Sequence, residues 1–200
     1  QFLNNKKLQN KTYIQKTLNY AKKQGRSNIV ALYAIFQLYF GSVNSFKPII
    51  SKYMYCKYKP KTVLDISAGW GGRLLGALSL PNIKYIGFDT NKDLKKPYQE
   101  MIKDLQAQKR AKIIFKDSSK VDFSKYNYDM VFTSPPYYTL EKYENMPDYS
   151  NKEQWYNTFL FPVIENSFKH LKRNGVYALN IPKSIYEEVK KILGKSDKKI

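Results

Sequence analysis

From residue 60 onward, short apolar segments alternate with stretches rich in Leu, Lys, Gln and Glu. The apolar segments read KTVLDIS, IKYIGFD, AKIIFKD, YDMVFTS and GVYALNI. Strands that alternate with helical patterns favour a parallel sheet with right-handed helical crossovers, so residues 61–181 are predicted to hold five strands and four crossovers. In an open parallel sheet, ligands bind beyond the carboxyl ends of the strands, and the chemistry is expected there.

Residues 1–57 have a different pattern, which is typical of helices. Ser27 or Asn28 can cap the apolar segment IVALYAIFQLYF, and Gly41 can end it. The sequence therefore predicts an N-terminal helical region over residues 1–57, which packs on or precedes an α/β domain over residues 58–200. A chain of 200 residues with 42% hydrophobic residues is long enough to bury a full core.

The formal charge of +19 has two interpretations that the sequence leaves open. A strongly basic protein attracts polyanions, which suits binding to nucleic acid. An AT-rich coding bias produces the same excess, and it is consistent with only four arginines beside 31 lysines.

The single cysteine, Cys56, cannot form an internal disulfide. Neither it nor the only histidine, His170, belongs to a cluster with metal-ligand spacing. The longest apolar run is interrupted by Gln37 and is too short to cross a bilayer. The N-terminal residues lack the apolar core of a signal peptide. We therefore expect an intracellular, cytoplasmic protein that uses no metal.

The first predicted strand ends at Asp65 and leads into a glycine-rich turn, with Gly69, Gly71 and Gly72. Glycines let the backbone approach a ligand closely, and a helix that starts there offers unpaired N–H groups. A purely structural tight turn is the alternative. The spacing matches neither the GxGxxG of dinucleotide binders nor a phosphate-binding P-loop.

Acidic residues also close the second and third predicted strands. Asp89 follows the second strand, where a carboxylate can accept hydrogen bonds from both hydroxyls of a ribose. Asp117 and Ser118 follow the third, where a carboxylate can accept a hydrogen bond from an adenine amino group. Each aspartate can instead be a helix cap, but together they describe a pocket for an adenosine.

The fourth predicted strand ends in Ser134-Pro135-Pro136-Tyr137. Neither proline can donate a backbone hydrogen bond, so the corner offers acceptors, the Ser134 hydroxyl and the Pro135 carbonyl, beside the ring of Tyr137. Such a corner suits a planar ligand that carries an amino group.

With these strand ends, the chain resembles the class I S-adenosylmethionine-dependent methyltransferases, and among them the amino-methyltransferases that modify adenine N6 or cytosine N4 in DNA. Residues 65–71, DISAGWG, match the cofactor motif except that Ser67 replaces an aromatic residue, and SPPY matches the catalytic motif. The resemblance spans about residues 44–182 and implies a Rossmann-like, mostly parallel sheet with helices on both faces. It assigns to the cofactor Phe46, Lys47, Pro48, Asp65, Ser67, Ala68, Gly69, Trp70, Gly71, Asp89, Thr90, Asp117, Ser118 and Ser134.

The resemblance implies methyl transfer from S-adenosylmethionine to a base amino group in DNA, with Ser134, Pro135, Pro136 and Tyr137 holding the base. An RNA amino-methyltransferase, and a non-catalytic nucleic-acid-binding subunit with the same fold, are the alternatives. Target recognition is expected from residues 137–155 or from a separate subunit or domain, as in restriction-modification enzymes. The sixth and seventh strands of the family are not predicted after GVYALNI, so we expect a fragment or an abbreviated domain.

Overall fold

A computed structural model describes residues 10–40, 45–138 and 147–199 of the chain. It divides into two compact units, Gln1–Ser45 and Phe46–Ile200. The division falls earlier in the chain than the predicted boundary after residue 57. The reason is that the helix from Pro48 belongs to the second unit, where the Tyr55 hydroxyl donates to the Arg73 carbonyl oxygen.

The first unit contains a pair of helices, α1 (Thr12–Lys23) and α2 (Asn28–Phe40). Ser27 lies at the start of α2, and its Oγ accepts a hydrogen bond from the Val30 N–H at 3.4 Å. A small apolar core joins the two helices; its buried members are Ile14, Leu18, Ala21, Ala31 and Ile35.

The second unit alternates helices and strands as the sequence predicts. Its elements are α3 (Pro48–Tyr58), β1 (Thr62–Asp65), α4 (Gly72–Leu78), β2 (Lys84–Asp89), α5 (Lys95–Asp104), β3 (Ala111–Phe115), β4 (Met130–Thr133), α6 (Lys152–Trp155), α7 (Phe161–Lys169), β5 (Val176–Leu179) and α8 (Lys183–Leu193). Short 3₁₀ turns cover Lys92–Leu94, Ser118–Lys120 and Phe123–Lys125, and a π-helical turn, Tyr156–Leu160, joins α6 to α7.

All five predicted strands form one parallel sheet in the order β3-β2-β1-β4-β5. Leu64 of β1 is paired with Ile86 on one side and with Val131 on the other. The order reverses between β1 and β4, so the crevice in which such folds bind ligands lies at the carboxyl ends of these two strands. The predicted Rossmann-like α/β fold is confirmed.

Successive residues of each strand enter cores on opposite faces of the sheet, as the period of two requires. Val63 contributes to a core with α3 and α4, whereas Leu64 contributes to a core on the other face with Val163 of α7. Because both faces are covered, the functional groups are confined to the strand ends. No helix in the described part of the chain is long and apolar enough to span a membrane.

Candidate functional site

The glycine-rich loop after β1 and the Pro-Pro corner after β4 are connected by one side chain. Ser67 Oγ lies 2.8 Å from the Ser134 carbonyl oxygen and 2.9 Å from Thr133 Oγ1. Thr133 donates its own proton to the Asp65 carboxylate at 2.8 Å, so the single Ser67 proton is shared between the other two oxygens. The predicted cofactor loop and the predicted base-binding corner are therefore neighbours at the point where the strand order reverses.

Asp65 is fully buried, and its carboxylate accepts hydrogen bonds from other residues of the protein. Arg73 Nε donates to its carboxylate at 2.6 Å, and the Tyr85 hydroxyl donates to the same oxygen. Arg73 also donates to the Ser67 carbonyl. In the structure the Asp65 carboxylate also accepts hydrogen bonds from the Ser67 N–H of the loop and from Thr133 of β4, and its assignment to the cofactor stays a prediction.

Charges inside this cluster shift the pKa values of its members. Burial acts to lower the pKa of Arg73, but the charge and hydrogen bond of Asp65, together with Tyr85 and Tyr55, more than offset it, so the pKa rises and the guanidinium stays charged. Burial, and then the charge of Asp65, raises the pKa of the Tyr85 phenol well above its usual value. Asp65 thus accepts from a permanent cation and from a phenol that keeps its proton, which makes the cluster a stable foundation for the loop.

The loop itself depends on left-handed backbone at two glycines, Gly69 with φ +60° and Gly71 with φ +82°. Its inner side is fixed by the Ala68 N–H, which donates to the Phe88 carbonyl at 2.8 Å, and by the Tyr98 hydroxyl, which donates to the Gly69 carbonyl at 2.7 Å. The Trp70 side chain, between the two glycines, is 64% exposed. The backbone of the loop is therefore held in place while its outer side remains open.

Asp89, at the end of β2, binds this loop directly. One carboxylate oxygen accepts the Gly69 N–H at 2.7 Å, and the other accepts the Asn91 N–H at 2.8 Å. Burial raises the pKa of Asp89, and the bonds from Asn91 and Gly69 oppose that rise. Thr90, the next residue, is exposed. The half-buried carboxylate has lone pairs left for a ribose, so the predicted role and a structural role are compatible.

Asp117 is a cap, as the alternative interpretation has it. Its Oδ1 accepts from the Ser119 N–H at 3.0 Å and from Ser119 Oγ at 2.7 Å, and the neighbouring Ser118 is buried. Burial raises the pKa of Tyr149, and the negative charge of Asp117 adds to the rise. Tyr149 is thus close enough to Asp117 to sense its charge, beside the place predicted for the adenine.

The Ser134 hydroxyl belongs to a closed set of three hydrogen bonds. The Tyr137 hydroxyl donates to the Asn180 carbonyl at 2.8 Å, Asn180 Nδ2 donates to Ser134 Oγ at 3.1 Å, and Ser134 Oγ lies 3.1 Å from the Tyr137 hydroxyl. Because a carbonyl only accepts, the one Tyr137 proton goes to Asn180, and Ser134 must donate in the third bond. This leaves one Ser134 lone pair, so Ser134 can act toward a further group only as an acceptor.

Asn180 is absent from the predicted site residues. It follows β5 directly, and its N–H donates to the Thr133 carbonyl at 2.9 Å, which continues the ladder between β4 and β5. Functional side chains are expected at the carboxyl ends of parallel strands, and the fifth strand, within GVYALNI, ends directly before Asn180. The same rule that predicts the other four strand ends would therefore have found Asn180 from the sequence.

The predicted Phe46-Lys47-Pro48 segment packs beneath the loop. The Phe46 ring meets the Phe132 ring edge to face at 5.5 Å, and the Arg73 guanidinium lies 5.1 Å from the Phe46 ring centroid. Lys47 is exposed, and Pro48 begins α3. A Cβ atom at Gly72 would lie 1.9 Å from the Phe46 carbonyl oxygen, so only glycine permits this contact.

The corner residues differ in accessibility. Pro135 is buried, whereas Ser134, Pro136 and Tyr137 are half-buried and can be reached from outside. The segment 137–155, predicted for target recognition, is described only in part, because residues 139–146 lie outside the described residues. In the described ranges, no group of three or more His, Cys, Asp or Glu side chains could hold a metal ion.

The residues present fit S-adenosylmethionine on two observations. The left-handed backbone at Gly69 and Gly71 favours glycine in the turn, and the half-buried Asp89 carboxylate stands at the next strand end in a position suited to a ribose. The predicted cofactor residues of the glycine-rich loop and of the end of β2 lie together at the strand ends: Ser67, Ala68, Gly69 and Asp89. Ser134 lies across the crevice from them.

The chain is similar to several solved structures, and those with a TM-score above 0.5 support the same fold. A putative rRNA-methylase from Clostridium thermocellum is 17% identical, with a TM-score of 0.52 over 78% of this chain and 86% of that one. TrmN from Thermus thermophilus is 15% identical, with a TM-score of 0.52 over 68% and 39%. An O-methyltransferase of a Brevibacillus brevis trans-AT PKS multienzyme, in complex with S-adenosyl-L-homocysteine, is 24% identical, with a TM-score of 0.48 over 66% and 40%. The chain spans about two fifths of the length of the first solved structures that it matches.

Sequence comparison identifies the family. No curated protein matches the chain. Residues 45–191 match the model of a family described as Conserved hypothetical protein 95. Because this match takes in all five strands, the glycine-rich loop and the Pro-Pro corner, the chain belongs to the Conserved hypothetical protein 95 family.

Proposed function

We propose that this chain is an S-adenosylmethionine-dependent methyltransferase that modifies the exocyclic amino group of a base in RNA. One observation carries the proposal: Ser134 Oγ is restricted to accepting hydrogen bonds, and it lies at the strand-order reversal across from the glycine-rich loop. An acceptor at this place suits an amine, which brings N–H groups, better than it suits a hydroxyl that must first lose a proton.

RNA replaces DNA as the first choice of substrate class. The resemblance of SPPY to DNA amino-methyltransferases concerns the amino group and does not distinguish the two nucleic acids. The similar structure from Clostridium thermocellum is that of a putative rRNA-methylase, which favours RNA, although at 17% identity the likeness itself concerns the fold. DNA methylation, with a restriction partner or a recognition subunit, is the second candidate, and it rests on the SPPY motif alone.

The chain's own residues would make a weak nucleophile reactive. An exocyclic base nitrogen is conjugated with its ring, so its lone pair is poorly available. If Ser134 Oγ and the Pro135 carbonyl accept its two hydrogens, the nitrogen moves toward a tetrahedral geometry with its lone pair directed at the cofactor. When bound, S-adenosylmethionine supplies an electrophilic methyl group on a sulfonium. Positioning and electrostatics would then account for most of the rate; S-adenosylhomocysteine would be the leaving group, and the amine proton would pass to water after the transfer.

Tyr137 has two roles in the proposed mechanism. Its ring stacks on the extruded base and offsets part of the few kcal/mol lost on unstacking. Its hydroxyl accepts the Ser134 proton and so keeps the serine an acceptor. The sequence suggests only the first of these.

Methyl transfer to several substrates in parallel tests the proposal. Radiolabelled S-adenosylmethionine is supplied with unmodified ribosomal and transfer RNA transcripts and with unmethylated duplex DNA, and the labelled nucleoside is identified after digestion. We expect a label on a base amino nitrogen in RNA, lost by roughly 10- to 1000-fold in Ser134→Ala. Ser124→Ala, an exposed serine before the opposite end of β4, is the matched control. A label in DNA alone makes DNA the substrate, and a label in neither favours the non-catalytic scaffold.

A further inference from the structure

The positive charge is not spread evenly along the chain. The first acidic residue is Asp65; the 64 residues before it contain twelve lysines and arginines and no aspartate or glutamate. The remaining residues contain 23 basic and 16 acidic ones. The N-terminal part therefore carries +12 of the total +19 on about a third of the sequence.

A coding bias does not explain this separation. A bias toward lysine acts along the whole chain, and it removes no aspartate or glutamate. At the frequency of the later residues, the first 64 would contain about seven acidic side chains. All the ion pairs within the described residues involve positions 65 and beyond. The first unit, Gln1–Ser45, holds seven of the twelve basic residues and no acidic one, so its charge is uncompensated from within.

Helix α1 presents this charge in an ordered form. Ile14, Leu18 and Ala21 pack against α2, whereas a different set of side chains faces outward at helical spacing. This set, which we term the tyrosine–lysine face, consists of Tyr13, Lys16, Tyr20 and Lys23. Tyr13 is 39% exposed and Tyr20 is 66% exposed, and both lysines are exposed. Flat rings therefore alternate with ammonium groups along one side of the helix.

We propose that the tyrosine–lysine face of α1 binds the RNA strand outside the catalytic crevice, with lysines on phosphates and tyrosines stacked on bases. Aromatic rings stack on any base, and lysines neutralise phosphates without reading sequence, so the contact is not sequence-specific. The choice of RNA rests on the proposed function. An anionic membrane is a weaker fit, because the aliphatic residues of α1 face α2 and the outward face offers tyrosine rings and charge.

The test measures binding of a fluorescent, unstructured single-stranded RNA by anisotropy from 50 to 300 mM salt. The variant Lys16→Gln/Lys23→Gln removes both lysines of the tyrosine–lysine face. The control Lys84→Gln/Lys103→Gln removes two exposed charges from the second unit. We expect the α1 variant to lower the slope of log affinity against log salt by about 1, and the control to leave it nearly unchanged. Tyr20→Ala should weaken binding roughly 5- to 100-fold at an unchanged slope.

Several outcomes overturn the proposal. Equal losses in the two double variants mean that net charge, not this face, determines affinity. Tighter, α1-dependent binding of duplex DNA or of phosphatidylserine vesicles makes one of these the occupant. Circular dichroism of each variant separates unfolding from loss of contact, and Tyr20→Phe should restore binding if the ring is used. Binding needs no methyl transfer, so α1-dependent RNA binding without methylation supports this face and contradicts only the proposed function.

Discussion

Replacing Tyr137 with phenylalanine tests whether the three-bond set around Ser134 acts as described. The change keeps the ring and removes the hydroxyl that accepts the Ser134 proton at 3.1 Å and donates to the Asn180 carbonyl at 2.8 Å. Without this acceptor, the Ser134 hydroxyl can rotate so that its proton points at the substrate amine. That orientation competes with the one in which Ser134 accepts a hydrogen bond from the amine. If Tyr137 acted only through its stacking ring, the same substitution would retain most of the activity.

The expected fall in the methyl-transfer rate follows from the loss of one hydrogen bond to Ser134. A neutral hydrogen bond contributes about 0.5 to 1.5 kcal/mol net, which corresponds to roughly a 2- to 12-fold fall in the methyl-transfer step. RNA affinity should remain close to the parental value because the stacking ring is present. Single-turnover transfer from labelled S-adenosylmethionine to RNA separates these two quantities.

A double variant provides the stricter test. If Tyr137 acts through Ser134, Ser134→Ala/Tyr137→Phe should be no slower than Ser134→Ala alone, because the proton to be oriented is already gone. Tyr126→Phe, at the opposite end of β4, is the control for loss of a phenol hydroxyl. Losses that add in the double variant, or parental transfer in Tyr137→Phe, would refute the proton assignment.

Three further predictions concern the loop and its foundation. Asp89→Ala should weaken S-adenosylmethionine binding by about 1 to 3 kcal/mol, measured by calorimetry, and unchanged binding would leave Asp89 with only its bond to Gly69. Arg73→Met should lower the free energy of unfolding by about 3 to 5 kcal/mol in urea, because it leaves the Asp65 charge buried without its cation; a loss below about 1 kcal/mol would contradict the pairing. Because burial raises the pKa of Asp89 above its ordinary 3.8, the folded state binds this proton more tightly, so the contribution of this group to stability falls as pH rises from 3.8 through the raised value. Asp89→Asn should remove that fall in thermal unfolding measured across acidic pH, and an identical pH profile in the variant would contradict it.

The strands could be predicted well because buried parallel strands have a strong signature. Segments such as IKYIGFD and YDMVFTS must be apolar on both faces, and turns and amphipathic helices separate them. The carboxyl-end rule then placed Ser67, Gly69, Asp89 and Ser134 in one crevice, where the structure has the loop and the corner joined. These positions follow from strand order and required no knowledge of side-chain contacts.

Other features depend on contacts that a linear pattern does not contain. Asp65 has the spacing of a ligand-binding acid, but its role depends on whether a cation reaches it, and Arg73 is eight positions away on a different element. The predicted boundary between the units falls too late because α3 looks like the preceding helices. Contacts such as those of Ser51 with Gly72 and of Tyr55 with Arg73 and Phe132 assign it to the second unit. Conversely, Asn180 lies within reach of the carboxyl-end rule, which the fifth strand end obeys like the others.

The cluster beneath the loop explains why a serine can replace the aromatic residue of the cofactor motif at position 67. Asp65 accepts from Arg73 on the loop side and from Thr133 on the corner side, so one buried carboxylate fixes the ends of β1 and β4 together. Ser67 extends this connection by one more bond, to the Ser134 carbonyl at 2.8 Å. An aromatic side chain has no hydroxyl placed for that bond, so the loop would lose its direct hydrogen bond to the corner. The serine therefore fixes the distance between the loop proposed to hold the cofactor and the oxygen proposed to accept the amine, and methyl transfer is most sensitive to that distance.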